Sequence, residues 1–152
     1  VDWDFHARFR AISKTYNYRI YNHPVRPVFN RNLVYHYRNP LNVELMRVAL
    51  SILEGSHDFR SFQASGSKVN HTVRTVNFQR LTIVGPELNV LINANGFLYH
   101  MVRNIVGSLI QVGSGRMSLG HFEDALNQFD RNMTRYIAPS AGLCLEEVFY
   151  ED

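Results

Sequence analysis

The chain has 152 residues, of which 45% are hydrophobic and 19% charged, and its formal net charge is +3. This composition does not read as that of a disordered chain and allows one hydrophobic core, so a single domain over 1–152 is expected. Cys144 is the only cysteine, which excludes an internal disulfide and a cysteine-built metal site. With no apolar run near the roughly 18 residues of a membrane helix, a reducing, cytoplasmic setting is expected. The basic residues are uneven in kind: Lys14 and Lys68 are the only lysines, and the rest are arginines. Arginine grips phosphate with a planar fork and stacks on flat rings, so the excess is compatible with RNA.

Residues 7–22 are rich in β-branched and aromatic types and read as a long strand. Alternation puts Arg8, Arg10, Ile12, Lys14, Tyr16, Tyr18 and Ile20 on one face. The Pro-containing loop 22–27 ends it, and Leu33 to Tyr37 reads as a short second strand. Asn42 is placed to cap a helix carrying Leu45, Met46, Ala49, Leu50 and Leu53, with Gly55 as its stop. Asp58 to Phe62 reads as a short helical turn and Ala64 to His71 as a polar loop. Thr72 to Val84 and Glu87 to Asn95 form a hairpin around Gly85 and Pro86. A helix is expected over Gly96 to Gly113, and a second from Ser118 with Phe122, Ala125, Leu126 and Phe129 inward. Residues 130–142 read as loop, and Leu143 to Tyr150 as a last strand holding Cys144 as a core residue. The order β-β-α-β-β-α-α-β predicts an α+β fold, an antiparallel sheet with helices packed on one face.

The helix over 96–113 is the most informative segment. At about 100° per residue, Leu98, Met101, Val102, Ile105, Val106, Leu109 and Ile110 share an apolar arc. His100, Arg103, Asn104, Gly107 and Gln111 form a narrow polar stripe that holds a guanidinium and no acid. Such an Arg needs an anionic partner from elsewhere, because removing its charge from water unpaired is costly. The competing reading is an ordinary amphipathic helix with a solvated face. No phosphate-binding loop, dinucleotide fingerprint or close histidine pair is present, so metal catalysis is not expected. On the first strand, Tyr16 and Tyr18 with Arg8, Arg10 and Lys14 make an aromatic, basic face of the kind that stacks on unpaired bases. The alternative is that both tyrosines pack beneath helices with their hydroxyls at the rim.

Six blocks carry a resemblance. They are Phe5-His6-Ala7-Arg8-Phe9, Lys14-Thr15-Tyr16-Asn17-Tyr18, Glu54-Gly55-Ser56-His57-Asp58-Phe59, Thr72-Val73-Arg74-Thr75, Gly96 through Gly107, and Ala138-Pro139-Ser140-Ala141-Gly142-Leu143. In this order the chain resembles the tRNA pseudouridine synthase A family over nearly its whole length. The resemblance implies a cofactor-free isomerase that detaches a uridine of the tRNA anticodon stem-loop from its sugar, turns it and rejoins it through carbon. It implies a homodimer, with tRNA as partner. Family members use a catalytic Asp in an Arg-Thr-Asp-Ala-Gly-type segment before the Phe-His-Ala-Arg block, and this chain has no counterpart. The resemblance therefore implies the C-terminal half of the enzyme, inactive without the N-terminal half that holds the acid. By the same resemblance Tyr16 stacks on the flipped uracil and Arg103 pairs with that Asp. His100 and Asn104 support the site or touch substrate, and Arg8, Arg60 and Arg74 contact RNA, Arg74 being equally readable as a structural ion-pair residue. An RNA-binding module without chemistry is the rival from another class. A small-molecule enzyme with a closed pocket is a third reading.

Overall fold

The computed structural model describes residues 6–7, 10–66, 69, 71–128 and 134–151, so the readings that fall on Arg8, Phe9, Lys68 and Phe129 lie outside the described residues. The elements are β1 (Ala11–Asn22), β2 (Tyr35–Tyr37), α1 (Val43–Ser51), β3 (Gly55–Asp58), β4 (Val73–Val84), β5 (Glu87–Ala94), α2 (Met101–Gly113), α3 (Leu119–Asn127) and β6 (Leu143–Tyr150). Short 3-10 turns occupy Arg60–Phe62 and Ser140–Gly142.

The long strand β1 organises the sheet, whose order is β2-β1-β5-β4-β3. On one side β1 runs antiparallel to β5, from Lys14 opposite Ala94 to Tyr21 opposite Glu87. Its other edge is shared. β6 pairs antiparallel with the first part, ending with Tyr18 opposite Leu143, and β2 pairs in parallel with Ile20 to Asn22. The sheet is therefore mixed, not purely antiparallel as the hairpin-like strand order implied. The α+β class stands.

Alternate residues of the central strands, Tyr18, Ile20, Leu81, Val90 and Ile92, join one cluster with Met46 and Leu50 of α1, Ile105 and Leu109 of α2, and Phe122 of α3. Burial of these faces supplies the main driving force, since each fully buried aliphatic or aromatic side chain contributes roughly 1.5–3 kcal/mol. Local chemistry sets the element ends. The Asn42 side chain accepts the Leu45 amide at 3.1 Å, and Ser118 does the same for His121 at 3.1 Å. Each satisfies an amide that the helix start would leave unpaired. Gly85, with φ +57°, makes the tight turn between β4 and β5.

Several boundaries depart from the sequence reading. Gly55 to Asp58 form β3 on the edge of β4 and only then does the 3-10 turn follow, because the β4 backbone offers an antiparallel partner through Gly55 opposite Val76. The long strand begins at Ala11 instead of residue 7. Its alternation is broken by irregularities between Ala11 and Ser13 and between Thr15 and Tyr16. Cys144 is exposed on β6, not in the core, because its side chain leaves the sheet on the face away from the helices. Among the described residues, no helix is long and apolar enough to cross a membrane.

Candidate active-site cleft

The expected helix over 96–113 proves to be two pieces. Gly96 to His100 approach as an extended segment and turn, and α2 starts at Met101. His100 marks the junction, at φ 59° and ψ 12°. It is the single left-handed non-glycine among the described residues. Histidine is among the side chains that tolerate that region best. This break takes Phe97, Leu98 and Tyr99 out of the helical period: Phe97 meets Tyr16 of β1, while Leu98 stays in the core. Tyr99 is 56% exposed and its ring stacks on His100 with centroids 3.9 Å apart. The Tyr99 carbonyl accepts the Ala64 amide at 3.0 Å, which ties the neighbouring loop to the turn.

Phe97 stands at the centre. Its ring meets Tyr16 of β1 edge to face, with centroids 4.9 Å apart. Three adjoining basins share it. The first, about 100 Å³, is lined by Tyr16, Phe97, Leu98, His100, Arg103 and Leu143 among others. The second, about 710 Å³, is lined by Tyr16, Ser65, Phe97, Tyr99 and His100 among others. The third, about 290 Å³, adds Lys14, His71 and Arg74. Ligand pockets generally measure roughly 300–1,000 Å³. The Arg103 basin lies below that range and the second basin within it.

Arg103 is half-buried and held in place. Its Nε donates to the Ala138 carbonyl at 2.7 Å, and one terminal nitrogen lies 3.3 Å from His100 Nε2. Among the described residues it meets no carboxylate. The groups around it are neutral as well. Burial, and then the positive charge of Arg103, push the His100 imidazole below its ordinary range, so it is uncharged at neutral pH. Burial pushes the Tyr18 phenol far up, against the pull of Arg103, and burial with the Tyr136 hydrogen bond does the same for Tyr35. The guanidinium charge is left uncompensated at the mouth of a small basin. In a partly desolvated setting that favours the ionised form of any carboxyl group placed beside it.

The other expected site residues divide. Tyr16 and His100 line the same basins as Arg103. Arg74 sits at the far end of the cleft, beside Gly96, with one terminal nitrogen on the His71 and Val73 carbonyls at 2.9 and 2.6 Å. Its fixed position comes from backbone carbonyls, and burial lowers its pKa. Asn104 leaves the expected stripe. It is 3% exposed, its Nδ2 donates to the Phe62 carbonyl at 2.7 Å, and it lines none of the three basins. The Arg60–Phe62 turn packs over that part of α2, and its Phe62 carbonyl takes the Asn104 amide as its donor. Arg60 also stands apart, 3.4 Å from the Asp58 carboxylate on the outer side of that turn. Tyr18 is no stacking platform. It is fully buried and donates its hydroxyl to the Pro139 carbonyl at 2.5 Å. Phe97 and Tyr99 are the site residues that helical periodicity missed. The signal that could have found them is the Gly96 block itself, with two rings three and one residues before an imidazole that ends the turn.

The α+β sheet thus carries an open, aromatic-walled cleft with an arginine at each end and, among the described residues, no acid beside the inner one. Sequence comparison gives the family. A family profile described as tRNA pseudouridine synthase matches residues 49–151. The chain is 41% identical over 147 residues to tRNA pseudouridine synthase A 2 of Clostridium perfringens, an alignment covering 97% of this chain and 60% of that relative. It is 44% identical over 147 residues to tRNA pseudouridine synthase A of Moorella thermoacetica, with the same coverage of 97% and 60%. With the Geobacillus tRNA pseudouridine synthase A the identity is 41% over 152 residues, covering all of this chain and 61% of the relative. The chain belongs to the tRNA pseudouridine synthase family. It spans about three fifths of the length of these relatives.

Proposed function

We infer that this chain forms the cleft-bearing part of a tRNA pseudouridine synthase that isomerises uridine in the anticodon stem-loop. The reaction breaks the N1–C1′ glycosidic bond and forms a C5–C1′ bond. The hydrogen on C5 goes to solvent and N1 takes up a proton, so no electrons are exchanged and no cofactor or metal is required. The observation that carries the reading is the joint placement of Tyr16, Phe97 and Arg103 around one basin, with Arg103 fixed by Ala138 and unpaired with any acid among the described residues.

In this reading the uracil leaves its stack and lies against the Tyr16 ring in the larger basin. A base drawn from a stack costs a few kcal/mol, and stacking on an aromatic ring returns about 1–3 kcal/mol of it. Arg103 holds the catalytic Asp ionised and aimed at the sugar. That Asp comes from the part of the relatives that this chain does not span, so the chain by itself is inactive. His100 stays neutral and crowds the guanidinium toward the basin. Arg74, with Lys14 nearby, meets the phosphate backbone at the far end of the cleft, and Arg8 and Arg60 are further RNA contacts on the strength of the family resemblance alone. A homodimer and a cytoplasmic location belong to the same proposal. So does the compact single domain over 1–152.

The test uses the full-length protein and tRNA transcribed with tritium on uridine C5. Isomerisation releases that label to water. Release that depends on anticodon-arm uridines supports the reading, and its absence with tRNA still bound salt-sensitively would make the protein a non-catalytic RNA binder. Release by the 152-residue chain alone would refute the missing-acid part.

A further inference from the structure

The segment from Tyr136 to Pro139, ahead of the Ser140–Gly142 turn, is fastened to α2 and β1 by more bonds than a connection needs. Ala138 grips Arg103 at both ends: its carbonyl accepts the side-chain Nε at 2.7 Å, and its amide donates to the Arg103 carbonyl at 3.1 Å. One turn further along α2 stands Gly107. A Cβ on that residue would lie 1.7 Å from the Tyr136 carbonyl oxygen and 3.2 Å from the Ala138 nitrogen. Only a residue without a side chain lets the segment lie this close to the helix, and the obstacle is backbone, which cannot rotate away. Two phenols close the other side. Tyr18 donates to the Pro139 carbonyl at 2.5 Å, and Tyr35 and Tyr136 share a hydroxyl contact at 2.5 Å. Ala138 is fully buried between them.

We propose that the Tyr136–Pro139 segment is a brace that sets the Arg103 guanidinium, and that Gly107 and the Tyr18 hydroxyl are its positioning residues. The proposal rests on the reading of Arg103 as the partner of the catalytic acid. Gly107 lines none of the three basins and abuts Tyr136 and Ala138 instead. Its effect on the reaction passes through Ala138 and the Arg103 Nε bond. The brace also explains why a helix that packs fully into the core carries an interior glycine, which costs about 1 kcal/mol of helix propensity relative to alanine and would be replaced if helix formation alone mattered.

The test is made in the full-length protein. Arginine side chains are labelled with nitrogen-15 and the Arg103 Nε–H signal is assigned by its loss in Arg103→Lys. In the wild type this proton exchanges slowly with solvent because the Ala138 carbonyl holds it. Gly107→Ala forces the segment off the helix and speeds that exchange. It lowers kcat by roughly 100-fold, the cost of misplacing a catalytic group by about 1 Å, with KM for tRNA little changed. Tyr18→Phe keeps the ring and removes one fastening, so it shows the same pattern at smaller size. If Gly107→Ala does not fold, Tyr18→Phe decides the matter through the same two readouts. A purely structural role would lower the melting temperature and the active fraction yet leave the Arg103 proton protected in the folded molecules, and that result overturns the proposal. If the wild type forms no pseudouridine, the proposed activity fails while the exchange measurement still decides whether the brace exists.

Discussion

Replacing Arg103 by methionine separates a structural cost from a catalytic one. Methionine keeps most of the length and the apolar stem of the side chain, so packing against Leu98 and Leu143 in the small basin changes little. Two interactions disappear. The first is the Nε bond to the Ala138 carbonyl, whose residue is fully buried. An orphaned buried acceptor costs about 1–3 kcal/mol. For a protein of this size that corresponds to roughly 2–4 °C per kcal/mol, a lowering easily seen in a thermal melt. The second loss is the uncompensated charge. Removing a pre-organised partner of a reacting group lowers kcat by roughly 10²–10³-fold, far beyond what the stability change causes at 25 °C. Single-turnover tritium release and tRNA binding, measured on the same full-length preparation, tell the two apart. The expected result is a modest fall in melting temperature, tRNA affinity within a few-fold of wild type and a rate lower by two to three orders of magnitude. Equal losses in affinity and rate would refute the reasoning and recast Arg103 as a phosphate contact.

Other outcomes are expected from the same geometry. Tyr16→Phe preserves the ring that packs on Phe97, so tRNA binding should persist with any loss confined to turnover; wild-type kinetics would show that the hydroxyl has no chemical part. Asn104→Ala leaves the Phe62 carbonyl without its donor and should destabilise the protein by about 1–3 kcal/mol. Its kcat should be retained in the folded fraction, and a selective loss of tRNA binding would return Asn104 to the substrate surface. His100 has a folded-state pKa below its unfolded value of about 6.5, so the unfolded chain binds the proton more tightly and stability falls as pH drops below that value. His100→Asn, which also suits the left-handed backbone, should flatten this limb of a stability-against-pH curve, and an unchanged slope would refute it. Asn42→Ala removes the α1 cap and should cost about 1 kcal/mol in urea unfolding without touching activity.

What the sequence determined by itself is local and periodic. Asn42 and Ser118 marked helix starts because a short polar side chain beside an apolar stripe has one economical use. The β4–β5 hairpin was legible because Gly85 and Pro86 separate two β-rich runs, and β6 was legible as a strand to its ends. The Gly96 block and its five companions carried the family. Tertiary structure alone decided the rest. Periodicity assumes an unbroken helix, and the left-handed turn at His100 cannot be read from hydrophobic spacing, so Phe97 and Tyr99 reached the cleft against expectation. Asn104 reached the core because the Arg60–Phe62 turn, distant in sequence, packs over it. β2 could pair in parallel because the connection from Asn22 to Tyr35 is long enough to carry the chain back alongside the stretch of β1 that β6 leaves open. Cys144 is outside because the register of β6 on β1 fixes which face each residue takes. The support under Arg103 comes from residues 35 positions away along the chain. A charge is a property of one residue, but the shape and emptiness of the space before it belong to every segment folded around it.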